Sequence, residues 1–475
     1  WFSPIYPSPG ADCGYDIADY MDIAPEFGGM EAFRQVLQGA HDRGLKILMD
    51  LVVNHTSDEH PWFEKSRQRI EPYTDYYIWR PDPGKGKLPN NWDSNFEGKA
   101  WTWDPVRKEY YLHLFAVKQP DLNMDNPLVR EEVKKILRFW LDMGVDGFRE
   151  DVITYISKAE GLPNDRVFPI YKGMRKYNHG PHIHEYLREF KEDVLDHYDC
   201  FTLAEAPLVW PKRALKYIHE ETGQLDMMIQ FQCQCADCIF TDYLPTKFHL
   251  RKMKRAFSSW QHKLRGKAWN SLYIENHDHP RIISRYGSEE FHHESGKMLA
   301  AMYLFQQGTP FLYQGQEIGM TNWRPKSFSE YRDVQSIWNY EMFCTGQWET
   351  LIDENEVWTD IVTEEDFAAL QQRSNAKLPE ARNVLTVEKA EMVSSTNPHD
   401  GSEMNIMYVQ IRNHAAPMEE YQQEWYAIDL DRDTLYDNYE LKASHFDSLP
   451  EYAGNYLSDV RYKYSSRVYD GYILW

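Results

Sequence analysis

Asp146-Gly147-Phe148-Arg149-Glu150-Asp151-Val152 is a short apolar strand that closes on three charges. Charges taken out of water must be paired or put to use. The two-residue period of a strand puts Arg149 and Asp151 on one face and Glu150 on the other. Arg149 then stands where its charge would hold Asp151 ionised, and Asp151 is a candidate nucleophile. A structural Arg–Asp pair at a strand end is the other reading of this stretch taken alone.

The sequence on both sides repeats one rhythm. Met30, Phe33, Val36, Leu37 and Ala40 recur at helical spacing, and Gly44 is placed to stop that helix. Residues 45–53 form a nearly continuous apolar run that reads as a parallel strand buried on both faces and ends in Asn54-His55. Pro127 opens a second helix with a stripe at Val129, Val133, Ile136, Leu137, Trp140 and Leu141, stopped by Gly144. Beyond the opening stretch follow a helix from Pro181, strands at 201–205 and 227–231, a helix over 252–264, a strand at 271–275, a helix over 294–306 and a strand at 310–313. Helix alternating with strand predicts an α/β fold with a parallel sheet, and we read it as a (β/α)8 barrel. Four strands end on polar groups: Asn54 with His55, Asp151, Glu205, and His277 with Asp278. In a barrel these ends meet at one mouth. No G-x-G-x-x-G follows an early strand, so an open dinucleotide-binding sheet lacks its fingerprint.

The domain plan that follows has barrel segments at 1–53 and 124–333. Residues 54–123, rich in Pro and aromatics, form a small inserted domain between them. Residues 334–475 change character; 404–411 and 424–428 read as strands and 364–372 as a helix, in a region with no assigned function. Trp1 is not Met and sits inside an apolar strand-like run, so the natural protein is expected to be longer.

Composition narrows the partners. A net charge of -22 argues against nucleic acid and anionic membranes. No run of about 18 apolar residues predicts a membrane span. Sixteen Trp and 32 Tyr suit stacking on sugar rings as well as a large core. Cys233, Cys235 and Cys238 form a C-x-C-x-x-C cluster without a second pair to complete a metal site, so no metal is assigned and free thiols in a reducing cytoplasm are expected. Three carboxylates, two histidines and an arginine at strand ends, without a nucleophile-elbow serine, point to acid–base chemistry on a neutral polar substrate. Glycoside hydrolysis uses such a set. The apolar neighbours of Glu205, in Leu203-Ala204-Glu205-Ala206-Pro207, suit a proton donor.

Five blocks carry a family resemblance: Asp50-Leu51-Val52-Val53-Asn54-His55, Gln119-Pro120-Asp121-Leu122-Asn123, Gly147-Phe148-Arg149-Glu150-Asp151, Ala204-Glu205-Ala206-Pro207 and Glu275-Asn276-His277-Asp278. In order and spacing the chain resembles the α-amylase family (glycoside hydrolase family 13), and within it the exo-acting α-glucosidases of the oligo-1,6-glucosidase type. The resemblance implies a retaining enzyme with Asp151 as nucleophile, Glu205 as acid/base and Asp278 as transition-state stabiliser. It implies that His55 and His277 contact a terminal glucose, that Tyr15 and Asp16 wall its pocket, and that Phe115 is either an aromatic platform or core. Val152 resembles the residue found in α-1,6-acting relatives, and also in trehalose-6-phosphate hydrolases. A small oligosaccharide is the implied partner, with no cofactor; the loop that can hold calcium in relatives would lie upstream of Trp1. The resemblance covers roughly residues 1–333 and implies a barrel whose first strand is missing here. The family's Arg-Asp-x-x-Arg-Thr-Pro-x-Gln-Trp block is not found, although Arg332-Asp333 resembles its lead-in. Two other readings stay open: a sucrose isomerase or transglucosidase sharing the covalent intermediate, and a non-catalytic accessory member of the fold.

Overall fold

The computed structural model describes residues 1–165, 172–238, 248–323 and 332–337, together with strands at 385–396, 403–413, 423–429 and 434–436. The helix predicted over 364–372 lies outside these residues. The chain forms two compact units: one of residues 1–165, 173–231 and 258–337, the other of residues 166–172, 232–257 and 338–475.

The first unit is built on parallel strands separated by helices. Its elements run α1 (Gly29–His41), β1 (Leu48–Leu51), α2 (Pro61–Arg67), β2 (Trp79–Arg80), β3 (Trp101–Asp104), β4 (Glu109–Leu112), α3 (Pro127–Met143), β5 (Gly147–Glu150), α4 (Met174–Tyr177), α5 (Ile183–Asp193), β6 (Phe201–Ala206), α6 (Pro211–Ile218) and β7 (Met227–Gln230). After α7 (Leu250–Leu264), which spans the boundary between the units, come β8 (Ser271–Leu272), α8 (Ile282–Tyr286), α9 (His292–Leu304) and β9 (Thr309–Pro310).

Strands β1, β5, β6 and β7 form one parallel sheet in that order, and β8 pairs parallel with β9. Side chains join the two groups: Ser271 Oγ donates to the Met228 carbonyl at 2.6 Å and the Tyr273 hydroxyl to the Gln230 carbonyl at 2.8 Å. At the other edge, Phe2 N donates to the Leu48 carbonyl at 3.2 Å. The parallel strands thus follow one another in chain order, as in a (β/α) barrel, with their carboxyl ends on one side.

Local signals explain the best-defined element. Asn126 caps α3 by accepting from Leu128 N at 3.0 Å, Pro127 fills the first turn, and Gly144 ends it in the left-handed conformation at φ +105°. Its predicted stripe is buried, with Trp140 at the centre. Helix α1 stops at His41, three residues before the predicted Gly44, which occupies the following turn. Gly147 starts β5 so close to β6 that a Cβ there would lie 1.9 Å from the Phe201 carbonyl oxygen. Only glycine lets these two strands approach in this way.

Within residues 54–123, β2, β4 and β3 make a three-stranded antiparallel sheet in that order. Arg107 ties it together, donating to the Ser66 and Thr74 carbonyls and to Glu109, with its guanidinium 4.5 Å from the Trp79 ring centroid.

The second unit contains an antiparallel sheet of β10 (Leu385–Thr396), β11 (Glu403–Asn413), β12 (Gln423–Asp429) and β13 (Thr434–Tyr436), paired in sequence order. Both strands predicted here are present, as β11 and β12; β10 and β13 are additional.

Candidate functional site

The carboxyl ends of β1, β5 and β6 bring three carboxylates onto one guanidinium. Arg149 is 1% exposed. Its Nη1 donates to Asp151 Oδ1 at 2.6 Å and to Asp50 Oδ1 and Oδ2 at 3.0 and 3.1 Å, while its Nη2 pairs with Glu205 Oε1 at 2.6 Å. The second Glu205 oxygen accepts from Val152 N at 3.1 Å. The register explains the convergence: Asp50 lies beside Arg149 across β1 and β5, and Arg149 lies beside Leu203, two residues before Glu205, across β5 and β6.

One buried cation cannot balance three buried carboxylates. Burial pushes the Asp151 carboxyl well up, and the like charges of Glu205 and Asp50 add to this; Arg149 pulls the other way. Asp50 is also raised by burial against the pull of Arg149. Arg149 favours the ionised form of Asp151, as its expected role requires, while burial and the neighbouring carboxylates oppose it. The ion pair exists, but at Asp151 and Asp50 burial works against it.

Tyr15 and His277 face this cluster. The Tyr15 hydroxyl lies 3.2 Å from Asp50 Oδ2 and 2.9 Å from His277 Nε2, and the two rings stack at 8° with centroids 5.6 Å apart. Trp1 Nε1 donates to Asp50 Oδ2 at 3.0 Å, and its ring lies 5.0 Å from the Arg149 guanidinium. Asp278 stands on the open side, its side chain 42% exposed, with Oδ1 3.3 Å from His277 Nε2. Its backbone N donates to Asn276 Oδ1 at 3.0 Å.

Other named residues sit deeper. Asp16 is fully buried, and its carboxylate accepts from Ser8 Oγ, Ala11 N and Asp12 N at 2.8, 2.8 and 3.0 Å. It thereby holds the 8–16 loop closed. His55 is buried beside Gln119, whose Nε2 lies 3.1 Å from His55 Nε2 and donates to Asp12 Oδ2 at 2.7 Å. Burial lowers His55 to about 3, with Lys158 contributing, so the ring is neutral. Phe115 is buried between the rings of His55, Phe96 and Tyr155, at centroid distances of 5.0, 5.1 and 6.0 Å.

Asp12 is pushed up to about 7 by burial and by the charges of Asp16, Asp333 and Asp278, against the hydrogen bond from Gln119. Asp12, Asp50 and Trp1 escaped the sequence reading of roles. A carboxylate inside the apolar run 45–53 was the available signal for Asp50; nothing local marks Trp1 or Asp12.

Among the described residues, the one group of three metal-ligating side chains with mutually close donor atoms is Glu131, Glu189 and Asp193. Lys134 Nζ pairs with all three, so the cluster is an ion-pair network. Cys233, Cys235 and Cys238 do not converge in this way. No helix among the described residues is long and apolar enough to cross a membrane.

A family model described as the alpha amylase catalytic domain matches residues 1–431. An oligo-1,6-glucosidase of Parageobacillus thermoglucosidasius is 49% identical over 349 residues, covering 72% of this chain and 62% of the relative. A trehalose-6-phosphate hydrolase of Bacillus subtilis (strain 168) is 43% identical over 347 residues, covering 72% of this chain and 61% of the relative. Among solved structures, the isomaltulose synthase of Erwinia rhapontici NX5 matches with a TM-score of 0.67 and 36% identity, covering 73% of this chain and 62% of that one. The chain thus spans a little over three fifths of the length of these relatives.

Proposed function

Since the chain belongs to the α-amylase family of glycoside hydrolases, we propose that it is a retaining, exo-acting α-glucosidase that cleaves terminal α-glucosidic bonds of short oligosaccharides, with α-1,6 bonds preferred. The observation that carries this reading is the shared clamp of Arg149 on Asp151 and Glu205. It fixes two carboxylates on adjacent strand ends, the arrangement a double displacement requires.

In the first step an Asp151 oxygen attacks the anomeric carbon. The glycosidic C–O bond breaks as Glu205 gives its proton to the leaving oxygen, and a glucosyl ester forms on Asp151. In the second step Glu205, now a carboxylate, takes a proton from water while the water oxygen attacks the same carbon. The ester bond breaks, Asp151 is released as a carboxylate, and glucose leaves with its configuration retained. Productive ionisation places the charge on Asp151 and the proton on Glu205. Asp278, Tyr15 and His277 line the open side, where they would meet the sugar hydroxyls.

The oligo-1,6-glucosidase and α-glucosidase names of relatives support the substrate class, and Val152 supports α-1,6 preference. A sugar phosphate fits less well: the charges of Asp16, Asp333 and Asp278 all bear on Asp12, and like charges repel a phosphate. The test is hydrolysis of p-nitrophenyl α-glucoside by the chain and by Asp151→Asn and Glu205→Gln. Turnover lost in both variants is expected; turnover kept in both refutes the assignment. Isomaltose against maltose then tests the linkage, and a preference for maltose refutes that part. Product analysis on sucrose separates hydrolysis from isomerisation.

A further inference from the structure

Val152 occupies a backbone conformation that costs energy. Its φ and ψ are +32° and +40°, in the left-handed region, where a β-branched residue is a genuine outlier. Such strain persists only where the surroundings hold it, and it concentrates at functional sites. Here the holding contacts are visible. Asp151 N donates to the Leu51 carbonyl at 3.0 Å, and Tyr155 N donates to the Val152 carbonyl at 2.8 Å. The Val152 side chain is buried. Between these anchors the Val152 N–H meets Glu205 Oε2 at 3.1 Å, while Arg149 Nη2 holds Oε1 at 2.6 Å.

The left-handed turn lets the chain leave the strand directly after Asp151 while that peptide's N–H stays on Glu205. With φ relaxed, either the N–H or the turn at Ile153–Tyr155 must move.

We propose that the strained Val152 backbone is a positioning element for the acid/base, an inference that rests on Glu205 being the proton donor. As Glu205 transfers its proton to the leaving oxygen, the electron pair of the broken O–H bond stays on its carboxylate. The Val152 N–H and the Arg149 guanidinium are already aimed at that charge. Donors fixed where charge develops act in the transition state and need no reorganisation. Their value grows with the leaving group's need for a proton.

The experiment measures kcat/KM for aryl α-glucosides, from dinitrophenyl to phenyl, with the full chain, its Val152→Gly variant and a chain in which the matching α-hydroxy acid replaces Val152. The hydroxy acid turns the Val152 N–H into an ester oxygen, whereas glycine takes the left-handed region without steric cost and keeps the N–H on Glu205. The expected result for the ester chain is a loss of about tenfold on phenyl α-glucoside and less than about twofold on the dinitrophenyl substrate, a steeper dependence on leaving-group basicity. Val152→Gly is expected to keep the wild-type slope. Equal losses across the series in the ester chain, or a slope in Val152→Gly as steep as in the ester chain, would overturn the proposal. A wild-type chain that turns over none of these substrates defeats the α-glucosidase reading, and this inference with it. An active wild type with parallel slopes defeats this inference alone.

Discussion

Glu150→Gln should stabilise the protein, and by an amount that grows with pH. Glu150 lies between Arg149 and Asp151 in sequence but points to the opposite face of β5, where it is buried and its Oε2 has no partner among the described residues. Burial raises its carboxyl from 4.5 to about 8, with the charge of Asp226 adding to the effect. Folded-state affinity for the proton therefore exceeds that of the unfolded chain. The associated stability is fully present below the unfolded value of 4.5 and is lost as pH rises through the folded value. From pH 4.5 to pH 7 the loss is about 3 kcal/mol at 1.36 kcal/mol per unit. Glutamine keeps the shape and carries no titrating proton. The urea midpoints of wild type and Glu150→Gln should thus nearly coincide at pH 4.5 and diverge by about 3 kcal/mol at pH 7, with the variant more stable. A difference that stays constant from pH 4.5 to pH 8 would refute the reasoning, because it would mean that Glu150 finds a partner for its charge.

Three further outcomes follow from the same structure. The acid limb of kcat/KM should lie above the ordinary carboxylate range, since burial and the neighbouring carboxylates raise Asp151 in the free site; a limb near pH 4 in the pH–rate profile contradicts this. Arg149→Lys should cost about 3–5 kcal/mol at pH 7 in denaturant unfolding, because a single ammonium cannot replace a guanidinium that contacts three buried carboxylates, and less at pH 4.5, where Asp50 and Asp151, raised by burial, take up protons; a loss independent of pH argues against the clamp. Titration of His55 followed by NMR should show a neutral ring down to pH 5, since burial lowers it to about 3, and a midpoint near 6.5 rules out the buried placement.

The sequence was most informative where the physics is local. Asn126, Pro127 and Gly144 bound α3 because caps act within one turn of the helix. Apolar runs ending in charge located β1, β5 and β6, since strands buried on both faces leave few other patterns. Roles that depend on distant partners were less legible. Asp50 gains its place from Arg149, 99 residues later, and Tyr15 gains its place from His277, 262 residues later. Asp16 was expected to wall a pocket, and its oxygens accept from Ser8, Ala11 and Asp12, a turn-closing role that spacing does not distinguish from ligand binding. Strand β10 was not read because Glu, Lys and Ala interrupt its β-branched residues. The balance of charge around Arg149 was also hidden, because it is set by burial and by three strands meeting.

The central claim is that Asp151 carries the glucosyl group. Incubation with 5-fluoro-α-glucosyl fluoride, whose ring fluorine slows breakdown of the intermediate, followed by peptide mapping in a mass spectrometer tests it directly. The account predicts one glucosyl adduct, on the peptide containing Asp151, that disappears in Asp151→Asn. An adduct on Glu205 or Asp278, or turnover of the reagent by Asp151→Asn at the wild-type rate, would contradict it.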